Sequence, residues 1–375
     1  MWVPTPVAAA SWPLRRGAQV SAPLALNVAG KAFSGWKSIR VTRTLEALCG
    51  SFSLTVADGP DWPISEDDAC SVLVEGVPVI TGYIDSLEPS YDSASHTVTV
   101  NGRDRAADVV DCSAQLGAWQ FSSVDVLTLA RKICAPYGVT VAMQPGLVSS
   151  AASLSKKYSI DPGDTAGAAL ENLCKVAGLL AISDGLGGVL LTRTGTERVG
   201  TVLVQGQNIL RAGAKFDRTG RFRDYLVMGS HKGGDSLNGA SASGVKGTAT
   251  DMNARAGRTL VVRPDANMTP ALAKSRAEWE ASVRAARAES ASVTVQGWIE
   301  SDLFGAWPLN KLVAVRSPKL RVNGDMLIAG VTLSYDEGSG TLTQLDLRNP
   351  KAFTPDPTIA KAGGNNYWRE IVGGV

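Results

Sequence analysis

The stretch GYIDSLEPSYDSASHTVTV, Gly82 to Val100, has a second version near the other end of the chain: GVTLSYDEGSGTLTQL, Gly330 to Leu345. Laid on each other without a gap, Ser90, Tyr91, Asp92, Ser95, Thr97 and Thr99 match Ser334, Tyr335, Asp336, Ser339, Thr341 and Thr343, and Val98 faces Leu342. Both versions set alternating apolar and polar residues on either side of a turn, the pattern of a β-hairpin. Two more strings recur in the same order. SLTV from Ser53 returns as SVTV from Ser292, and VITG from Val79 returns as LIAG from Leu327. Three matches in one order indicate a duplicated β domain. The competing reading is chance recurrence of Ser-Thr-Val strings, which are common in β proteins.

The bulk composition agrees with several β-rich domains. At 375 residues the chain exceeds one ordinary core. Hydrophobic residues at 44% and charged residues at 19% describe a folded globular protein, and 39 glycines imply many turns. A formal net charge of +2 supplies no global field for nucleic acid or acidic membranes. Five cysteines, odd in number and without CxxC spacing, argue against a disulfide framework and a zinc site. The prolines at 4, 6 and 13 interrupt any signal-peptide core, and no apolar run reaches membrane-spanning length, so no membrane insertion is expected.

Period-two strands fill the region from Leu24 to about Asp111: in SFSLTV, Phe52, Leu54 and Val56 share one face while Ser51, Ser53 and Thr55 share the other. A first β domain is assigned to 1–112. Helical spacing follows: SSVDVLTLARKIC takes Ser122 or Ser123 as N-cap, and DPGDTAGAALENLCKVAG takes Asp164 or Thr165. With the turn SDGLGG between apolar runs, 113–200 reads as an inserted α/β domain. The second β domain, 201–350, carries a loop at 230–252 rich in Gly, Ser and Asn, expected to be mobile, and a helix at 270–288 capped by Thr269. Residues 351–375 read as an extended tail. The fold class expected is mixed α+β and predominantly β: two similar tube-type β-barrel domains, an inserted α/β domain and a helix and loop insertion.

Catalytic patterns are sparse. His96 falls in a hairpin tip and His231 in the loop, neither beside a metal-ligand partner. SDGLGG lacks the Lys of a phosphate loop, and no GxSxG elbow occurs. Glu66, Asp67 and Asp68, and Glu278 with Glu280, read as solvated faces with pairs such as Glu280 to Arg284. Arg103, Arg105, Arg218, Arg221 and Arg223 are not interleaved with aromatics as a nucleic-acid site requires, and they read as partners of Asp104, Asp217 and Asp224. No enzyme activity and no cofactor are expected. The alternative is a cell-envelope glycan hydrolase or glycan-binding tail component with its site in the 113–200 insert, built on a carboxylate such as Asp164 or Glu171.

GSFSLTV, VITGYID, GRDRAADVVDCSA, GQNIL, SRAEWEASVRAAR, VQGW and MLIAGVTLSYDEGSGTLTQLDLRNPKAF, in this order and spacing, resemble the baseplate hub proteins of Mu-like contractile-tailed bacteriophages. The resemblance runs from about Val28 to Phe353. It implies a virion protein, assembled in the host cytoplasm, in which three copies form a ring and each contributes two tube-like β domains. Such a pseudo-sixfold ring sits on the sixfold tail tube protein above and meets a separate trimeric spike protein below, among other baseplate proteins, with phage DNA passing transiently through it. Type VI secretion spikes resemble a hub fused to a spike. In this picture Thr97, Thr99, Thr341 and Thr343 are expected to face an interface or the lumen, where few strong charges would hold the genome.

Overall fold

The computed structural model describes residues 24–57, 63–93, 95–122, 124–147, 158–229, 244–264, 268–301 and 303–360. It is mainly β, organised around one 13-stranded sheet. The alternation read from the sequence sets its two faces. Ile39, Val41, Phe52, Leu54, Val98 and Val100 are buried, while Arg40, Ser53 and Thr99 point the other way. One hydrophobic cluster runs through both halves of the chain, joining Leu54 and Val100 to Val293, Leu333 and Leu345.

The halves repeat each other strand for strand. In the first, Ser38–Thr44, Ser51–Ala57, His96–Asp104, Val77–Tyr91, Ala69–Val74 and Leu24–Val28 are neighbours in that order. In the second, the order is Arg211–Phe216, Glu289–Gln296, Gly340–Arg348, Val322–Asp336, Leu312–Ser317 and Arg198–Val204. Both long strands have 15 residues, and each carries a bulge at the same place, Asp85 in one and Ala329 in the other. The last strands differ: Leu24–Val28 runs antiparallel to its neighbour and Arg198–Val204 runs parallel. The chain enters that second strand from the α/β insert, which delivers it from the opposite direction.

Backbone register corrects two of the sequence matches. Ser53 and Ser292 are equivalent, since each stands opposite the corresponding residue of the following hairpin, Asn101 and Asp346. Leu327, however, corresponds to Tyr83 and not to Val79, so the VITG and LIAG strings are not equivalent positions. The second hairpin turn is also one residue longer: Tyr91 pairs with His96, whereas Tyr335 pairs with Thr341. Gly340, at φ +68°, takes a left-handed conformation where the chain leaves this longer turn. The strand after the turn is therefore slipped by one against the ungapped match, and a slip of one exchanges the faces.

A second core belongs to the α/β unit, built from α1 (Ala106–Asp111), α2 (Val126–Cys134), α3 (Ala166–Ala177) and the strands Val141–Met143, Leu180–Ser183 and Val189–Thr192. Ala106 and Val109 already belong to it, ahead of residue 113 where the sequence reading began the insert. Asp125, rather than Ser122 or Ser123, caps α2 by accepting from Thr128 N at 2.8 Å, and Thr165 caps α3 by accepting from Ala168 N at 3.1 Å. The SDGLGG turn joins the antiparallel pair Leu180–Ser183 and Val189–Thr192, with Gly185 and Gly187 at positive φ.

A third, smaller core packs α4 (Pro270–Arg287) on the strands Asp224–Gly229, Val245–Thr250 and Thr259–Val262. Val245–Thr250 falls in the stretch expected to be loop at 230–252; residues 230–243 of that stretch lie outside the described residues. Gly247 is required there, because a Cβ would sit 2.1 Å from the backbone carbon of Ala273 on α4. Of the expected tail, Pro350–Phe353 forms a 3-10 turn and Pro357–Ala360 a short helix, and Trp279 Nε1 donates to Thr354 O at 2.8 Å. Residues 361–375 lie outside the described residues.

Candidate assembly site: a polar sheet face and two bare edges

Eight strands lie side by side from Arg211–Phe216 at one end to Val77–Tyr91 at the other, and they present one continuous polar face. Its side chains meet across strands. Thr55 and Thr99 hydroxyls are 3.0 Å apart, Thr42 and Thr332 hydroxyls 3.4 Å, and Asn101 Nδ2 donates to Ser86 Oγ at 3.1 Å and to Glu88 Oε1 at 2.7 Å. Such ladders satisfy the hydroxyls locally and leave a surface of low net charge. Arg103 belongs to this face and is clamped by Asp85 and Asp111, each at 2.8 Å, which raise its pKa. Just behind it Asp104 is buried. Burial pushes its carboxyl pKa up, against hydrogen bonds from Gly50 N at 2.7 Å and Ala106 N at 2.9 Å.

The four threonines read from the sequence divide between the two faces. Thr97 and Thr99 are half-buried on the polar face, opposite in phase to buried Val98 and Val100. Thr341 and Thr343 share the phase of buried Leu345 and Leu347; Thr343 is fully buried and its hydroxyl donates to Gly297 O at 2.6 Å. The one-residue slip sets Thr341 and Thr343 on the face opposite to that of Thr97 and Thr99. Leu342 and Gln344 occupy the places that correspond to Thr97 and Thr99. The signal was present in the sequence: counting back by twos from Leu347 and Leu345 reaches Thr343.

In the middle of the sheet the halves are joined. Gly330–Asp336, the distal part of the second long strand, pairs antiparallel with Ser38–Thr44 of the first half, Leu333 opposite Val41 and Thr332 opposite Thr42. Within this seam residues 330–333 are buried without interruption. The ends of the sheet carry the same two elements without a mate among the described residues. Arg211–Phe216, the counterpart of Ser38–Thr44, pairs only with Glu289–Gln296. Ser86–Tyr91, the counterpart of Gly330–Tyr335, pairs only with His96–Asn101. Its Tyr91 is 81% exposed and Phe216 on the other edge 46%. Sheet edges of this kind present unpaired N–H and C=O groups to any strand that can add to them.

Two further sets of charged groups pair within the fold. Arg221 binds Asp251 and not the nearby Asp217 or Asp224, and both side chains are buried. Glu280, expected on a solvated face, is buried between Arg276 and Arg284 at 2.8 and 2.7 Å. A cleft of about 1040 Å³ opens between α3, α4 and the segment 352–356. Glu171 lines it and Asp164 does not; its other carboxylates include Glu280 and Asp356, both already paired to Arg276. Among the described residues no three His, Cys, Asp or Glu side chains group as metal ligands, and no helix is long and apolar enough to cross a membrane.

Comparison with known proteins places these features in a family. Residues 23–104 match the model of the Mu phage baseplate assembly protein GpP-like N-terminal domain. Residues 106–193 match the second domain of gp44-like baseplate hub proteins, and 269–356 the fourth domain of Mu phage GpP. The chain is 30% identical over 342 residues to baseplate hub protein gp44 of Escherichia phage Mu, covering 89% of each. The crystal structure of the 43 kDa tail protein of prophage MuSo2 from Shewanella oneidensis superposes with a TM-score of 0.78 at 30% identity, over 88% of this chain and 99% of that one. A Francisella PdpA-VgrG complex shares the fold, with a TM-score of 0.54 at 6% identity over 91% of this chain and 60% of that one. This chain belongs to the family of baseplate hub proteins of Mu-like phage tails, structural components of the virion.

Proposed function

We propose that three copies of this protein close into a ring at the end of the tail tube, join the tube to the central spike and leave a channel for the genome. The observation that carries this reading is the internal seam. Within one chain, an edge strand of one half completes the sheet of the other, and the ends of the eight-strand array carry that same pair of elements without a mate among the described residues. A contact that joins unlike edges head to tail either closes into a ring or runs on as a filament. Three copies, the number implied by the family resemblance, close the array at twenty-four strands with two similar halves per copy. Such a ring meets a sixfold tube through its six halves and a trimeric spike through its three chains.

The polar face then lines the channel. Thr97 and Thr99 take lumen positions with Leu342 and Gln344, and the hydroxyl ladders offer passing DNA little fixed charge to bind. The tail tube protein, the spike and other baseplate proteins are the partners of this reading. The test is the native mass of the purified chain across a concentration series, by light scattering coupled to size exclusion, with negative-stain images of the peak. A threefold mass with annular particles is expected. A monomer at every concentration, with no rings in the images, would overturn the reading.

A further inference from the structure

We infer that copies join by antiparallel pairing of Arg211–Phe216 of one copy with Ser86–Tyr91 of the next, in a register that sets Lys215 opposite Glu88 and Gly213 opposite Ser90. The inference rests on the ring reading and names its contact. The register follows from the two halves. Ser38 stands opposite Thr55 and Arg211 opposite Thr294; Thr55 and Thr294 in turn stand opposite the equivalent Thr99 and Gln344. Arg211–Phe216 therefore corresponds, residue for residue, to 38–43. Ser86–Tyr91 likewise corresponds to 330–335, by the shared bulge and hairpin. Carrying the seam pairs Thr332 with Thr42 and Ser334 with Arg40 across the equivalence gives Glu88 with Lys215 and Ser90 with Gly213.

The chemistry at these positions suits a second copy. Where the internal seam sets two threonine hydroxyls together, the outer edges set a carboxylate against an ammonium. One step inward Leu87 faces Phe216, and one step past the strand end Asp92 faces Arg211. An internal seam is tethered by its own chain, whereas a seam between molecules must select its register. A shift of two residues takes Lys215 off Glu88 and places it against serine, and a shift of one turns both side chains to opposite faces. Pro89 fits the same scheme. Leu45 N donates to Ala329 O at 2.8 Å, so by the two-residue alternation Val41 and Leu333 form a hydrogen-bonded pair and their N–H groups point into the seam. The counterpart of Leu333 is Pro89, whose missing N–H therefore faces the open edge. That edge stays poor at indiscriminate strand addition, and opposite it the inferred register places small Ala214.

Side chains of non-hydrogen-bonded pairs approach closely, with Cα atoms about 4.5 Å apart, within disulfide reach. The decisive sample is full-length protein carrying Ser90→Cys and Gly213→Cys in a Cys112→Ser background that removes the exposed native thiol. Gly213 has open space around its Cβ position, so the cysteine is accommodated. On oxidation a covalent three-chain species is expected in denaturing gels without reductant, and it should be absent when Ala212→Cys replaces Gly213→Cys. Glu88→Lys alone should raise the concentration for half-assembly by about tenfold, and Glu88→Lys with Lys215→Glu should restore it. A threefold native mass without the cross-link between the two introduced cysteines, or with no rescue by the charge exchange, overturns the register and leaves the ring reading standing. A wild-type chain that never leaves the monomer overturns both.

Discussion

The strands Val77–Tyr91 and Val322–Asp336 have the same length, the same bulge and the same hairpin partner, yet their distal halves differ. Residues 329–333 of the second are all buried; in the equivalent stretch, from Asp85 to Tyr91, the first has no buried residue. Both strands pair in the same way with the strand that follows, but the first carries Asp85, Glu88 and Pro89 where the second carries Ala329, Thr332 and Leu333. The neighbour on the other side differs as well. Ser38–Thr44 covers one strand, and no described strand covers the other. Burial here goes with the seam: the covered stretch is buried and its uncovered counterpart is not.

The sharpest way to break this comparison is to charge the two equivalent positions. Leu333→Asp puts an unpaired carboxylate into the covered strand and should cost more than about 3 kcal/mol of folding stability in urea denaturation. Pro89→Asp should leave monomer stability within about 0.5 kcal/mol while abolishing the threefold mass in light scattering. Equal destabilisation by both would mean that the two edges are not in equivalent states.

Acid offers a second lever, because the only carboxylate among the paired residues of the seam is the exposed Asp336, while the third core rests on buried ion pairs. Hydrogen bonds from Arg221 hold the Asp251 carboxyl below its ordinary pKa. Burial raises that of Glu280, but the bonds from Arg276 and Arg284 outweigh it and the net shift is downward. Folded values below the unfolded ones mean a stabilisation that is complete above the ordinary carboxylate range and lost as pH falls through the lowered values. Between pH about 7 and about 3, hydrogen exchange should quicken in Asp224–Gly229 and α4 before it does in Ser38–Thr44. Simultaneous loosening would show that the seam shares this dependence.

The smallest effect separates the two hairpins. Thr343→Val leaves Gly297 O without its buried donor and should cost about 1 kcal/mol, read from the denaturation midpoint. Thr99→Val, on the polar face beside Thr55, should cost less than about 0.5 kcal/mol. A larger loss at Thr99 would contradict the assignment of faces.

Much of this architecture was legible in the amino-acid order, because strand alternation and helix capping are local. Phe52 and Leu54 turned inward as their spacing required, Thr269 capped α4, and the SDGLGG turn closed a hairpin. Misreadings arose where a turn changed length or a partner was distant. One additional residue between Tyr335 and Thr341 reversed the faces of Thr341 and Thr343 while leaving the letters aligned. Arg221 chose Asp251 over acids adjacent in sequence, since the strand pairing of Asp224 with Thr250 brings Asp251 alongside.

The sequence by itself determined the duplication, the two-faced strands and the family, all of which follow from periodicity and the order of short motifs. Tertiary structure decided which copy of the long strand is covered. It also decided which residues stand opposite one another across the seam. Those outcomes depend on bringing Ser38–Thr44 against Gly330–Asp336, a contact between distant parts of the chain that no local pattern encodes.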